Sequence, residues 1–262
     1  MLHQINRIKS LAGNVRALGP LMGYRAALRY LVTTRGQPNA VAQAAFRGIP
    51  FSFRRRDISA VKEVLLLEEY YFLAPAIRNA DAPVILDIGA HIGLFSVWAL
   101  SVNPRARIHS VEASPETFRI LSGNVVGAAE KGYAWSTEHR AAWRETGEIS
   151  FMDGAESTMS HRVGADGTVK VPTVTLDQLL KNFCAGGVNV IKIDIEGAEE
   201  AFLCAPGLSL DGVENVAIEV HPALCDTEKV DAVLKKYFSI ENVKQNTPSS
   251  KPLLYCRKAA AL

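Results

Sequence analysis

The stretch VILDIGAHIG, residues 84 to 93, joins a run of buried-type aliphatic residues to a glycine-punctuated turn and a helix start. Val84 to Ile88 predicts a strand, and Gly93 to Ser101 predicts the helix that follows. Glycines 89 and 93 would let the turn backbone approach a ligand closely. The dinucleotide fingerprint G-x-G-x-x-G describes the same strand–turn–helix unit, but here Asp87 stands where its first glycine belongs. A carboxylate at that place repels a pyrophosphate, which needs bare backbone N–H groups. It suits a cationic ligand instead, such as the α-ammonium of an amino acid.

Outward from this unit the pattern alternates. Arg107 to Val111 predicts a strand and Pro115 to Val126 a helix, with Ser114 as N-cap, Pro115 at the first helical position and Glu116 near the positive helix end. Strands follow over Val188 to Ile195 and Val213 to Val220, with helices over Ala198 to Ala205 and Thr227 to Tyr237. Phe238 to Val243 and Leu253 to Arg257 close the chain as a strand pair. This alternation predicts an α/β fold, a mostly parallel sheet covered on both faces. Such sheets bind ligands beyond the carboxyl ends of their strands.

Glu112 closes the second of these strands, where an acid is expected to accept two ribose hydroxyls. A ligand with a ribose, a cationic amino-acid end and no phosphate is S-adenosylmethionine. The ordinary reading, a solvated loop acid at 87 and a helix-entry acid at 112, fits each residue alone better than it fits both together. A nicotinamide-dependent oxidoreductase is the rival on the same sheet, and Asp87 is the discriminator.

VILDIGAHIGLFSVWA, VEASPETFRILSGNV, VPTVTLDQLL, IKIDIEGAEEAFLCA and AIEVHP stand in the order found in FkbM-family methyltransferases, which the chain resembles over roughly residues 83 to 243. The resemblance implies the class I methyltransferase (Rossmann-like) fold, a seven-stranded sheet whose last strand is antiparallel. It also implies methyl transfer from S-adenosylmethionine to a hydroxyl of a sugar, glycan or related natural product. Carried across, Asp87, Gly89, Ala90 and Gly93 would hold the methionine part. Glu112 would take the ribose with Ala113 beside it, and Ala141 to Trp143, including Ala142, would lie near adenine. His91 reads as a helix-entry residue.

An alcohol is weakly acidic, so a base or a metal is useful at the acceptor oxygen. Asp194, at the end of one predicted strand, and Glu219 with His221, at the end of the next, are the catalytic candidates. His221 would act as base with Glu219 orienting it, or all three would bind a divalent cation such as Mg2+. A strand-end histidine bonded to backbone is the bland alternative. Glu196 ranks below these three, and Glu199 reads as structural, since acids in a first helical turn are favoured whatever the function. Lys192, between Ile191 and Ile193, is expected to pair with Asp194 or Glu196. The insertion 144 to 172 can cover an acceptor site, with Ser157, Ser160, His161 and Arg162 as contacts or as solvated loop residues.

The first 56 residues carry ten basic side chains and no acid, leaving 19 basic and 27 acidic groups for the rest, a net of −8. Leu2, Ile5, Ile8, Leu11, Val15 and Leu18 recur at helical spacing. Gly19-Pro20 predicts the end of that helix, and Tyr24 to Val32 predicts a second. A hairpin over Phe46 to Arg54 and a helix over Ile58 to Arg78 complete a basic extension, residues 1 to 82, ahead of a methyltransferase domain, residues 83 to 262. Residues 1 to 35 either pack on the domain with their arginines in water or touch an anionic membrane surface. RNA binding through this segment is the further alternative, but the net-acidic domain repels phosphate and no nucleic-acid partner is expected. Four scattered cysteines without a C-x-x-C pair suit a reducing compartment, so the expected location is cytoplasmic, with the peripheral inner-membrane option kept open.

Overall fold

The computed structural model describes residues 2–152, 162–163, 169–184, 186–243 and 251–258. The chain opens with helices α1 (Leu2–Met22) and α2 (Tyr24–Thr33), then the hairpin β1 (Val41–Phe46) and β2 (Ile49–Arg54). Helix α3 (Ile58–Ala60) widens into a π-helical turn (Val61–Leu66), and α4 (Ala74–Asn79) follows a 3-10 turn (Tyr71–Leu73). The alternating part comprises β3 (Val84–Ile88), α5 (Leu94–Val102), β4 (Arg107–Glu112), α6 (Pro115–Ala129) and β5 (Ala134–His139). Strands β6 (Ala141–Ala142), β7 (Glu148–Met152), β8 (Arg162–Val163) and β9 (Val169–Val174) form a separate four-stranded sheet. Then come α7 (Leu176–Phe183), β10 (Val190–Ile193), α8 (Glu199–Leu203), β11 (Asn215–Glu219), α9 (Thr227–Leu234), β12 (Phe238–Asn242) and β13 (Leu253–Lys258).

The main sheet has seven strands in the order β12-β13-β11-β10-β3-β4-β5. Six of them run in the same direction, and β13 enters antiparallel between β11 and β12. The strand alternation predicted from sequence and its antiparallel last strand are both present. Strand periodicity divides the core in two. Ile85, Ile108 and Val190 face a layer containing the hairpin, α2, α4 and α5. Leu86, Ile88, Ile191, Ile193 and Ile218 face the layer of α7, α8 and α9. The basic extension therefore shares one apolar cluster with the sheet.

Two predicted helix boundaries are corrected. Helix α1 does not stop at Gly19-Pro20 but runs through Pro20 to Met22, and the chain turns at Gly23, φ 88°. Gly19 is needed for packing: a Cβ there would lie 2.3 Å from the ring of Tyr24. The single helix expected over Ile58 to Arg78 is broken after Leu66. Glu68 adopts φ 48° and is anchored by tertiary bonds, accepting from Trp98 Nε1 at 3.2 Å and pairing with Arg47 at 2.5 Å. These contacts win over local helical preference, which is a weak determinant. The break brings Glu69 within electrostatic reach of Glu219 and Asp194.

Candidate active site

The first half of the site lies at the ends of β3 and β4. Register places Lys192 of β10 directly beside Asp87 of β3, which in turn is level with Ser110 of β4. Because Lys192 shares a face with Val190 and not with its isoleucine neighbours, it points into the polar row and not into the α8 layer. Asp87 is fully buried, accepts from Ser96 Oγ at 2.7 Å and pairs with Lys192 Nζ at 3.4 Å. Lys192 Nζ also donates to the Gly89 carbonyl at 2.7 Å and reaches Asp194 at 4.0 Å. Burial opposes the Lys192 charge, yet Asp87 and Asp194 outweigh it and raise its pKa. One expectation changes. The main partner of Lys192 is Asp87, with Asp194 at longer range.

The glycines of this turn are also required by packing. Gly89, φ 71°, passes so close to β10 that a Cβ would meet the Asp194 carbonyl at 1.8 Å. Gly93, φ 87°, leaves room for Trp135, 2.5 Å from a built Cβ. Both are demanded by chain packing beside the site. The amides of Gly89 and Ala90 donate to the Val111 carbonyl, while the His91 amide donates to Glu112 Oε2 at 2.8 Å. Ser114 N donates to the other Glu112 oxygen, also at 2.8 Å. Glu112 is thus held by two loops, with burial raising its pKa against these bonds, and each oxygen retains a lone pair for a ribose hydroxyl. Ala113 packs against Ala141, and Ala142 is buried at the opening of the four-stranded sheet. His91 is tied to Asp57, Nε2 to Oδ1 3.3 Å, and Asp57 also pairs with buried Arg54 at 2.9 Å.

The second half lies at the ends of β10 and β11. The Asp194 amide donates to the Ile88 carbonyl at 3.0 Å, which stitches this half to the first. Asp194 is 29% exposed, and Glu196 beside it adopts φ 49°. His221 is buried and faces four carboxylates. Its Nδ1 lies 2.7 Å from Glu199 Oε1, and its Nε2 lies 3.0 Å from Glu196, 3.7 Å from Glu219 and 3.9 Å from Asp194. Burial disfavours a charged imidazole here, but hydrogen bonds to Glu196 and Glu199 push its pKa up to about 10. These acids favour the charged form of His221, and Glu199 is the carboxylate that bonds its Nδ1.

Burial and the Asp194 charge push Glu219 up to about 7, with Lys251 and His221 opposing. Burial followed by Glu196 raises Asp194 despite Lys192. The sequence reading missed two members. Lys251 pairs with Glu196 at 3.0 Å and Glu219 at 3.3 Å, and Glu69, raised to about 7 by burial and by Glu219, comes from the broken helix. Neither lies at a strand end, the only local signal available to find them. Of the insertion candidates, Ser157, Ser160 and His161 lie outside the described residues, and Arg162 is described only as part of β8.

Seven strands in this order, with a glycine turn after β3 and an acid closing β4, form the class I methyltransferase fold. The methyltransferase FkbM domain model matches residues 87–241, and the chain belongs to that family. It is 26% identical over 197 residues to the hexuronic acid methyltransferase AglP of Haloferax volcanii, covering 74% of this chain and 76% of that one. A second relative, the AMB antimetabolite synthetase AmbE of Pseudomonas aeruginosa, is 24% identical over 200 residues. That match takes in 62% of this chain but only 9% of AmbE. Among solved structures, a human methyltransferase 10 domain containing protein shares the fold at a TM-score of 0.51 and 9% identity, over 88% of this chain and 93% of that one. The family sets aside the nicotinamide-dependent oxidoreductase. No helix among the described residues is long and apolar enough to cross a membrane.

Proposed function

We propose that this protein methylates a hydroxyl of a sugar-like acceptor, with Asp194 and Glu219 binding and deprotonating it. The observation that carries this reading is the meeting of Asp194, Glu219 and His221, whose ligand atoms lie within 4.8 Å of one another beside the turn after β3. The hexuronic acid methyltransferase among the relatives supports a sugar. When bound, S-adenosylmethionine supplies an activated methyl group on a sulfonium. Glu112 would take its ribose. Gly89, Ala90 and Gly93 would border its methionine part, and Ala113 and Ala142 its adenine. Asp87 would act through Lys192, by fixing the Gly89 carbonyl.

A general base works best when its pKa lies near the operating pH. Glu219 meets that condition, and Lys251 at 3.3 Å steadies the carboxylate once it is ionised. The acceptor proton passes to Glu219, while His221, fixed as a cation by Glu199 and Glu196, positions the acids. Glu219→Gln should lose about 10²–10⁴-fold in transfer to a uronate-containing acceptor while still binding S-adenosylhomocysteine. Full turnover in that variant would remove Glu219 as base.

The same three donors give a second reading, a divalent cation such as Mg2+ held by Asp194, Glu219 and His221. It requires a neutral imidazole and the withdrawal of Lys251 from Glu219. Calorimetric titration with Mg2+ decides between them: stoichiometric binding that Glu219→Gln abolishes supports the cation, and no binding supports the carboxylate base.

For the extension, Tyr24, Leu28 and Val32 form an exposed apolar stripe on α2, flanked by exposed Arg25 and Arg29. Apolar residues beside arginines suit the surface of an anionic bilayer. We read residues 1 to 35 as a peripheral membrane contact at the cytoplasmic face. Leu28→Glu should reduce co-sedimentation with anionic vesicles, and equal sedimentation would dismiss the contact.

A further inference from the structure

A cavity of about 460 Å³ opens between α1, the chain that follows β2 and the π-helical turn, lined by Asn14, Arg55, Arg56, Ser59, Lys62 and Glu63 among others. Three cations and one acid face it, in a protein whose remaining surface is net acidic beyond residue 56. The contacts of Arg55 and Lys62 leave their charge unmatched. Arg55 Nη1 donates only to neutral acceptors, the Leu31 carbonyl at 2.8 Å and Thr34 Oγ1 at 2.9 Å. Lys62 Nζ donates to the amide oxygen of Asn14, also neutral. Arg56 pairs with Glu116 at 2.5 Å through Nη2, but its Nε is buried with no hydrogen-bond partner among the described residues, on a side chain only 8% exposed.

The wall of the cavity lies within electrostatic reach of the candidate active site. Glu63 on its wall feels the charge of Lys251, which bridges Glu196 and Glu219. The Glu69 amide donates to the Glu63 carbonyl at 3.2 Å, so the same short segment links cavity and acid cluster. A molecule spanning the two regions would meet cations at one end and carboxylates at the other. Carboxylates suit a neutral hydroxyl that must lose a proton. Arginine and lysine suit an anion, by charge-assisted hydrogen bonds.

We propose that this cavity is an acceptor subsite that recognises a carboxylate or phosphate on the sugar whose hydroxyl is methylated, with Lys62 and Arg56 as its specificity-determining residues. The proposal rests on the methyltransferase reading of the neighbouring site and adds an acidic acceptor to it. Lys62 is half-buried and lies outside the buried apolar clusters, so its substitution leaves the core intact.

The test is calorimetric titration of the full chain, saturated with S-adenosylhomocysteine, using glucuronate, glucose 6-phosphate and glucose at low ionic strength. The two charged sugars distinguish carboxylate from phosphate, and glucose is the neutral control. Binding of a charged sugar but not glucose is expected, weakened by added salt. Lys62→Gln should weaken it at least about tenfold, the size of a lost charge-assisted bond, and Lys62→Arg should restore it. The proposal is overturned if all three sugars bind alike, if none binds, or if Lys62→Gln binds the charged sugar as tightly as the parent. S-adenosylhomocysteine affinity is measured separately. Its absence would sink the methyltransferase reading, whereas its presence without anion selectivity would sink only the subsite.

Discussion

At the ends of β3 and β4 the protein satisfies its own acids, whereas at the ends of β10 and β11 four carboxylates crowd one imidazole and one lysine. Asp87 is matched by Lys192 and Ser96, and Glu112 by two backbone amides. Both are held in one geometry before any ligand arrives, which lowers the cost of binding. In the second half, Asp194 and Glu219 repel each other and both take up protons more readily than ordinary acids. Crowding of that kind is expensive for stability and useful for chemistry. On the proposed function, the difference separates a receptor for the methyl donor from a centre that moves a proton.

Substitutions can break this division, and the largest effect belongs to the second half. Asp194→Ala and Glu219→Gln should each lose about 10²–10⁴-fold in turnover with little change in S-adenosylhomocysteine affinity. A matching loss in affinity, read by calorimetry, would merge the halves. Next comes Asp87→Asn, which leaves the buried Lys192 without its main partner. A cost of about 3 kcal/mol in unfolding free energy is expected, the scale of breaking a buried ion pair. A denaturation midpoint unchanged from the parent would show that Asp87 is not what anchors Lys192. Glu112→Ala should weaken S-adenosylhomocysteine by about 1–3 kcal/mol, the loss of a charged hydrogen bond.

A separate test concerns pH. His221 has a folded pKa raised to about 10, above its ordinary 6.5. Its stabilising contribution is therefore complete below about 6.5 and lost as pH rises through about 10. Chemical denaturation between pH 7 and 10.5 should show stability falling on the alkaline side, and Glu199→Gln should flatten that fall. An unchanged slope in the variant would mean that another group is responsible.

The scaffold was more legible than the site. Strand–helix alternation from Val84 to Leu234 names the parallel sheet because hydrophobic period and strand-end glycines are local signals. The break after Leu66 is not local. It depends on Trp98 and Arg47 holding Glu68, and without it Glu69 reads as one more helical acid. Lys251 escapes for the same reason, since it reaches the site from the segment before β13. Asp194, Glu219 and His221 were found at strand ends, but their roles depend on partners that spacing does not reveal. Glu199, which reads as a first-turn acid, turns out to be buried and to hold His221 Nδ1. The pairing of Lys192 with Asp87 follows from the β10–β3 register, which a sequence does not display.

Calorimetric titration of S-adenosylhomocysteine into Glu112→Ala and Glu219→Gln, side by side with the parent chain, probes the division most directly and requires no acceptor. The Glu112 variant should bind roughly tenfold or more weakly and the Glu219 variant within about threefold of the parent. Equal losses in both, or a loss confined to Glu219→Gln, would contradict a donor pocket built on β3 and β4 apart from the acids of β10 and β11.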